Sequence, residues 1–549
     1  MAVLRLLFRH ASGLVILAVI TGALGGASAA VLVGFLRYAL GTQTRGWVLP
    51  FLGVCLLQFA LNVVSYSILL RVIHRTILPT FRKDMVRDIL STRLRRLEET
   101  GNGMLLGATT EGAAQIGFAA TAWILVMRST AGIVACLVYV ALRTPRLALL
   151  ALAAVGIGLV AVVALFSSAQ RRLTAARASQ DRVLSHLRGV VSGTKELKMN
   201  LGRRSAFLRD ALLLDVNAMH RELAAGNLLN AAAAAGASIL VLSAVGLALL
   251  LVRSNPHGSA DLAAFAMAMV YVQAELSTVL NGFGILREGE IALRSAASLP
   301  IHEDLEGTTA PSPVPTNPSQ LLELRGVTHS YRRPDRSATF TLGPVQLQLR
   351  PSEIVFLVGG NGSGKSTLAK LILGLYAPDS GAISIADSLI SPAQQRERSS
   401  AVLSSWFVFN RLYGLEADDI DDRANTTLAA LKMGDKVSVK DATFSTTALS
   451  QGQRKRLALL TACLENRDLF VLDEWASDQD PAFKEYYYTK ILPELKARGK
   501  TCIVVTHDDS FFHMADRIVH LEDGSIVYDG PPGGLHPRRP REPASESNA

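Results

Sequence analysis

Gly359-Gly360-Asn361-Gly362-Ser363-Gly364-Lys365-Ser366 follows the apolar run Ile354-Val355-Phe356-Leu357-Val358 and fits the spacing G-x-x-x-x-G-K-[ST] in full. A buried strand, a glycine-rich turn and a helix starting near Lys365 is the context in which this spacing carries chemistry. Glycines let backbone N–H groups wrap a polyphosphate, and the helix aims the positive end of its dipole at the same place. Gly359, Asn361, Gly362, Ser363 and Gly364 are therefore expected to cradle the phosphates of ATP. Lys365 should reach the β- and γ-phosphates and Ser366 should hold Mg2+, with Thr367 completing the loop's nucleotide contacts.

Two further apolar runs end in residues that suit this loop. Leu469-Phe470-Val471-Leu472 ends in Asp473-Glu474, and Ile503-Val504-Val505 ends in Thr506-His507-Asp508. An Asp at the end of a buried strand can complete the Mg2+ shell, which makes Asp473 the second expected metal ligand. Glu474 can orient or deprotonate an attacking water. His507 could touch the γ-phosphate, although a single His of this kind is also compatible with a structural role. Strand-like and helical runs alternate around these motifs, the pattern of an α/β domain.

The chain N-terminal to this domain has a different character. Over all 549 residues the apolar share is 49% and the mean hydropathy is +0.29, high for a soluble protein of this length. Stretches at about 13–36, 47–70, 119–142, 147–167, 226–252 and 260–285 each approach the roughly 20 apolar residues that a membrane span requires. The first begins after Arg5, Arg9 and His10 and contains Ala27-Ser28-Ala29, which resembles a signal-peptide cleavage site. At about 24 residues its apolar run exceeds the roughly 7–15 of a signal core, so it is expected to remain as a helix. Three connections are short, near Gly41, at Arg143-Thr144-Pro145-Arg146 and at Ser254-Asn255-Pro256-His257-Gly258. Two are long, 71–118 and 168–225, and they carry most of the basic residues, among them Arg82, Lys83, Arg87, Arg93, Arg95, Arg171, Arg182 and Arg203. Basic loops stay in the cytosol. That bias places both long connections, the N-terminus and everything after residue 285 on the cytosolic side. Glu99-Thr100-Gly101-Asn102-Gly103 interrupts the first long connection as a helix-turn-helix elbow would.

Arg128 and Glu275 fall inside expected spans, where charge is costly. They either line a cavity for cargo, or Arg128 snorkels to the interface while Glu275 makes a structural ion pair. Gly22 and Gly26 are spaced for close helix packing. The net charge of +10 is accounted for by the cytosolic loops, and no basic stripe interleaves with aromatics, so nucleic acid is not an expected partner. Cys55, Cys136, Cys463 and Cys502 are scattered, without the spacing of a disulfide framework or a metal site. Residues 299–320 have the Pro-, Ser- and Thr-rich composition of a linker. The expected organisation is a transmembrane domain over 1–298, a linker, an ATP-binding domain over 321–530 and a disordered tail over 531–549.

From about 321 to 530 these residues resemble the ABC transporter ATPases. The telling piece is Leu449-Ser450-Gln451-Gly452-Gln453, followed by Arg454-Lys455-Arg456-Leu457, which is similar to the ABC signature with Gln451 in place of a glycine. The resemblance implies that Ser450, Gly452 and Gln453 close over the γ-phosphate held by a second subunit. It also implies that Tyr331 stacks on adenine, that Asp480 is the acid of the D-loop and that His507 is the switch histidine. Where the family has a Q-loop glutamine, this chain has Ser405 within Leu403-Ser404-Ser405-Trp406. Because the signature acts on a neighbouring subunit, one such domain cannot complete a site. Six spans fused to one ATPase domain resemble a half-exporter that works as a homodimer. The implied fold is a polytopic six-helix transmembrane domain plus an α/β P-loop domain.

The run Asp473-Glu474-Trp475-Ala476-Ser477-Asp478-Gln479-Asp480-Pro481, with Leu492-Pro493-Glu494-Leu495-Lys496 and Gly193-Thr194-Lys195-Glu196-Leu197-Lys198, is similar to the cyclic-peptide exporters of syringomycin and pyoverdine type. That resemblance implies ATP-driven export of a cyclic or non-ribosomal peptide, such as a siderophore precursor, across a bacterial inner membrane. A multidrug or lipid exporter on the same scaffold, and an ATP-gated membrane sensor without cargo, are the alternatives.

Overall fold

Long unbroken helices fill the first half of the chain because its apolar runs hold few residues that would stop them. The structure is a computed structural model and describes residues 2–41, 46–252, 258–300, 321–332, 339–385, 388–415 and 418–534. The short connections at 42–45 and 253–257, the linker beyond residue 300 and the tail beyond 534 lie outside the described residues. The chain divides into two units, Met1–Leu90 with Thr100–Glu303 and Ser91–Glu99 with Asp304–Ala549.

The first unit is built on the helices α1 (Ala2–Gly41), α2 (Val48–Val72), α3 (Ala113–Arg143), α4 (Pro145–Ser192), α5 (Leu213–Val252) and α6 (Gly258–Ala297). Pro145 stands in the first turn of α4, where its missing N–H has no partner to lose, and Thr144 before it leaves the helical region at φ −140°. Gly101, at φ +80°, breaks the first long connection where the elbow was expected. Among the described residues, five stretches are long and apolar enough to cross a membrane: Ser12–Leu40, Val48–Ser91, Gly103–Arg143, Leu201–Leu250 and Ala260–Ala297. The expected span at 147–167 falls within α4, which runs unbroken to Ser192; the side chains at 154, 158, 159, 161 and 162 lie outside the described residues.

Packing in this unit is close where glycine permits it. A Cβ on Gly26 would fall 2.4 Å from the Arg128 carbonyl oxygen of α3, and one on Gly22 would fall 2.9 Å from Ser65 Oγ of α2. The two glycines thus serve different neighbours, and Ser65 Oγ donates to the Ala18 carbonyl across the second contact at 2.7 Å. Outward-facing positions carry Leu49, Leu56 and Phe59 exposed along α2, the arrangement that a hydrocarbon solvent favours. Part of the basic character of the second long connection is neutralised within the unit. Arg182 Nε lies 2.7 Å and His186 Nε2 3.0 Å from the Asp215 carboxylate, and Arg172 lies 3.2 Å from Glu222, tying α4 to α5.

Arg128 and Glu275 meet. The guanidinium of Arg128 lies 3.6 Å from a Glu275 carboxylate oxygen, which also accepts from Ser129 Oγ, while the buried Nε of Arg128 has no partner. The reading in which Arg128 only snorkels is therefore replaced by a pair joining α3 to α6. Pairing offsets part of the desolvation that an isolated charge would suffer at this depth.

In the second unit, strands β1 (Leu322–Arg332), β2 (Thr339–Leu349) and β4 (Ser380–Ile385) form an antiparallel sheet in the order β2-β1-β4, extended by the two-residue strand Ser388–Leu389. A second sheet contains β3 (Ile354–Gly359), β5 (Ser399–Val402), β6 (Leu469–Asp473), β7 (Thr501–Val505), β8 (Arg517–Glu522) and β9 (Ser525–Gly530), in the order β9-β8-β3-β7-β6-β5. Its pairings are parallel except β8 with β9. Strands β6 and β7 are buried at every residue, which explains their continuous apolar runs. Leu324, Leu342, Leu357, Leu368, Val471 and Val505 fill one face, and Phe356, Leu459, Phe470, Trp475 and Tyr487 fill the other.

Ser91–Glu99 is the unexpected member of this unit. It lies between two stretches of the helical unit in the chain, yet Glu98 accepts from Lys370 Nζ at 2.8 Å and from Tyr376 Oη, and Arg95 lies 3.8 Å from Asp379. Burial works to lower the Lys370 pKa, but its bonds to Glu98 and Tyr376 outweigh it and hold the ammonium above the usual lysine range.

Candidate active site

Parallel strands present their carboxyl ends at one edge of the sheet, and ligands of open α/β sheets bind there. Asp473, Val505 and Leu357 stand in register at the ends of β6, β7 and β3, so the loops that follow converge. The glycine-rich loop leaves β3 at Gly359, whose φ is +148°, and a Cβ there would fall 2.2 Å from the Leu521 carbonyl oxygen. Gly364, at φ +105°, precedes α7 (Lys365–Ile372), and a Cβ there would meet Leu342 at 2.8 Å and Phe340 at 3.1 Å. Glycine at these two positions is thus a steric requirement.

Inside this loop Lys365 is buried, and its ammonium donates to the carbonyls of Gly359 and Gly360, both at 2.9 Å. Burial lowers its pKa, while the carboxylates of Glu474 and Asp473 act in the opposite direction. Ser363 Oγ and Asp473 Oδ1 are buried and have no partner among the described residues. Buried polar atoms in folded proteins are nearly always satisfied, so two orphans beside one phosphate-type loop mark a place for a polar ligand. The donor set is the right kind: an exposed Ser366 hydroxyl and a carboxylate oxygen suit Mg2+, a hard cation that prefers oxygen.

Glu474 follows directly and is held in the left-handed region at φ +50°, ψ +37°. For a residue with a side chain this costs about 1–3 kcal/mol and persists only when its surroundings impose it. Its N–H donates to the Val505 carbonyl at 3.0 Å, and its own carbonyl accepts from Lys455 Nζ at 2.8 Å. The side chain is half-exposed, with a carboxylate oxygen 3.6 Å from His507 Nε2. His507 is set by Thr506, whose Oγ1 is shared with Tyr488 Oη at 2.8 Å and accepts from the Asp508 N–H at 3.0 Å. Of the expected residues, the loop, Asp473, Glu474 and His507 are therefore brought together. Tyr331 joins them at one remove: its ring packs on Phe340 at 5.4 Å, and Phe340 is the ring that Gly364 admits.

The signature residues go elsewhere in the chain. Ser450 caps helix α8 (Gln451–Glu465) in a reciprocal box with Gln453, with Gln453 N–H to Ser450 Oγ at 3.4 Å and Ser450 N–H to Gln453 Oε1 at 3.3 Å. Among the described residues no hydrogen bond or ion pair joins 450–453 to the loop at 359–367. Gln451 and Gly452 are bound instead to the turn after Glu474. Asp480 accepts from the Phe483 N–H at 2.9 Å and pairs with Arg456 at 2.9 Å, and the Phe483 bond foremost, with Arg456, holds its carboxyl below the usual range. Ser405 lines a hollow of about 490 Å3 with Trp406, Phe407, Gln451 and Arg454, and the Arg454 guanidinium lies 5.8 Å from the Trp406 ring. Sequence reasoning missed Lys455. Its only signal was a basic residue on the apolar face of a helix.

The sequence profile of the family described as ABC transporter matches residues 342–477. The ATP-binding protein SyrD of Pseudomonas syringae pv. syringae is 30% identical over 96% of this chain and 96% of its own length. The chain belongs to the ABC transporter family. An ATP-dependent lipid A-core flippase of Dechloromonas aromatica is 28% identical over 75% of this chain and 72% of its own length. A bacterial Atm1-family ABC exporter solved with ATP bound has a similar fold, with a TM-score of 0.74 over 94% of this chain and 95% of that one, at 16% identity. This ABC exporter is thus an ATP-binding, ATPase-coupled membrane transporter in which helical spans and ATPase domain share one chain.

Proposed function

We propose that this ABC exporter acts as a homodimer that moves an amphipathic peptide, cyclic or non-ribosomal, out of the cytosol across a bacterial inner membrane. The observation that carries the dimer is the position of Ser450. It stands at the N-terminus of a 15-residue helix, a ready-made anion site, bonded among the described residues to no part of its own nucleotide loop. A second chain's loop is the partner that gives this helix end a phosphate to hold. Peptide cargo is supported by the resemblance of the runs around Glu474 and at Gly193-Thr194-Lys195-Glu196 to the cyclic-peptide exporters. It also fits a hollow of about 590 Å3 in the helical unit, lined by Leu32, Val33, Met267 and Val270 with Gln58 and Tyr271 as polar members.

In this reading the loop from Gly359 to Thr367 holds the phosphates of ATP, Lys365 turns from its own carbonyls to the β- and γ-oxygens, and Tyr331 stacks on adenine. Ser366 and Asp473 would hold Mg2+, which would supply positive charge against the phosphoryl group. Glu474 takes a proton from the attacking water, and His507 steadies the γ-phosphate beside it. Binding draws the two ATPase domains together, because Ser450, Gly452 and Gln453 of one chain complete the other's site. Closure is a two-state change biased by ligand.

Proteoliposomes containing the full chain test the cargo. An acylated cyclic peptide should raise ATPase activity and accumulate inside vesicles whose ATPase domains face outward. Stimulation by lipid A or hydrophobic dyes alone, without peptide accumulation, would assign the chain to the lipid or multidrug reading instead. The Glu98 contacts make a separate prediction. Ser91–Glu99 is covalently continuous with the helical unit yet bonds to Lys370 on the helix of the nucleotide loop. Glu98→Gln should lower peptide transport about 5–150-fold, the range of ordinary coupling energies, while basal ATPase stays within about twofold. Transport and ATPase falling together would show that Glu98 acts on hydrolysis itself.

A further inference from the structure

Gln451, which stands in place of a signature glycine, and Asp478, in the turn after Glu474, touch each other. Gln451 Nε2 donates to Asp478 Oδ2 at 3.2 Å, and the same oxygen lies 2.6 Å from Lys455 Nζ. Gly452 allows this approach, since a Cβ there would fall 2.4 Å from the Asp478 carbonyl oxygen, and Gln479 Nε2 donates to the Gly452 carbonyl at 3.0 Å. The first turns of α8 therefore lie directly on the segment 474–479.

Lys455 is the centre of this contact. Its residue is only 3% exposed, a place where an ammonium persists only if its donors are satisfied. Three acceptors meet it: the Glu474 carbonyl at 2.8 Å, Ser477 Oγ at 3.2 Å and the Asp478 carboxylate at 2.6 Å. The bond is reciprocated, because Trp475 Nε1 donates to the Lys455 carbonyl at 2.9 Å and the Trp475 ring is stacked on Tyr487 at 4.5 Å. Glu474 thus has its N–H tied to β7 and its carbonyl tied to α8, with a left-handed backbone between. Those two anchors set the direction in which its side chain leaves the backbone.

We propose that Lys455 is a positioning residue for ATP hydrolysis, holding the Glu474 backbone so that the carboxylate faces the attacking water, with Asp478 and Gln451 fixing Lys455 in place. The proposal rests on the reading of Glu474 as the base. No new covalent step is involved. Ser477 Oγ also donates to the Glu474 carbonyl, at 2.7 Å, so removal of Lys455 loosens the turn without freeing it.

The test uses the full chain in lipid nanodiscs, with ATPase kinetics, fluorescent-nucleotide binding and thermal unfolding measured on each variant. Lys455→Met should lower kcat about tenfold to a hundredfold, as misplacement of a reacting group by roughly 1 Å does. KM for ATP and nucleotide affinity should stay within about threefold, since the loss falls on the transition state. Lys455→Arg, which keeps donors, should recover part of the rate. Asp478→Asn, which loosens the anchor but leaves the bond to Glu474, should lower kcat less and add little to Lys455→Met. A Lys455→Met protein with kcat within about twofold of the parent overturns the proposal, as does a loss shared equally by kcat, KM and unfolding temperature. If Lys455→Met does not fold, Asp478→Asn decides: a lower kcat at constant KM supports the proposal, and an unchanged kcat overturns it. Glu474→Gln, run alongside, separates the two readings. Full turnover in that variant removes the base assignment itself, whereas a dead Glu474→Gln beside a fully active Lys455→Met removes only the role of Lys455.

Discussion

Glu474→Gln is expected to lower steady ATPase activity by about 10²–10⁴-fold, the contribution of a positioned general base, while ATP binding persists. The substitution keeps the size of the side chain and removes only its basicity. Both anchors of this residue are backbone atoms, the N–H bonded to Val505 and the carbonyl bonded to Lys455, so neither is disturbed. Lys365 and Asp473 keep their positions as well, because neither is hydrogen-bonded to the Glu474 side chain. The variant should therefore bind nucleotide with parental affinity and accumulate the closed state of the proposed dimer. Rapid-filtration binding and phosphate release, measured on one preparation, check both halves. Turnover within about tenfold of the parent would move the base to another group, and His507, 3.6 Å away, would be the first to examine.

Mixed assemblies of the proposed homodimer carry the second large effect. One defect, Lys365→Ala, disables the loop of a chain, and another, Ser450→Arg, disables its signature by placing a bulky cation at the helix end. Co-assembly of a Lys365→Ala chain with a Ser450→Arg chain concentrates both defects in one composite site and leaves the other site whole. Co-assembly of a doubly substituted chain with an unsubstituted one places one defect in each site. The first combination should occlude about one ATP per dimer and the second essentially none, with occlusion at a damaged site weakened by roughly 10²–10³-fold for each missing phosphate donor. Differently tagged chains, purified through both tags, make the comparison direct. The reverse result, about one ATP occluded in the second combination and essentially none in the first, would mean that each chain builds its site alone. The reason to expect otherwise is local: Ser450 and Gln453 bond to each other, and Gly452 and Gln451 bond to the turn at 478–479, none of them to the loop of their own chain.

Much of the site could be read before any coordinates, and the reason differs from residue to residue. The nucleotide loop is legible because its geometry leaves little choice: a Cβ on Gly359 or Gly364 collides with fixed neighbours. Asp473 and Glu474 are legible because a buried parallel strand must be apolar throughout, so the first charges mark its end. Arg128 and Glu275 could each be flagged as charges in apolar surroundings, but their pairing joins residues far apart in the chain and no local pattern announces it. The same holds for Glu98 with Lys370, where a short segment between two helical stretches belongs with the ATPase domain.

From the sequence by itself come the chemistry of the loop, the two-part organisation and the kinship with ABC exporters, because glycine spacing, apolar periodicity and strand-ending charges are local consequences of backbone geometry and solvent. The tertiary structure alone decided that Lys455 grips the carbonyl of Glu474, that Gln451 answers Asp478 and that Arg128 meets Glu275. Those are contacts between distant segments, and a buried charge is tolerated only where folding delivers a partner to it.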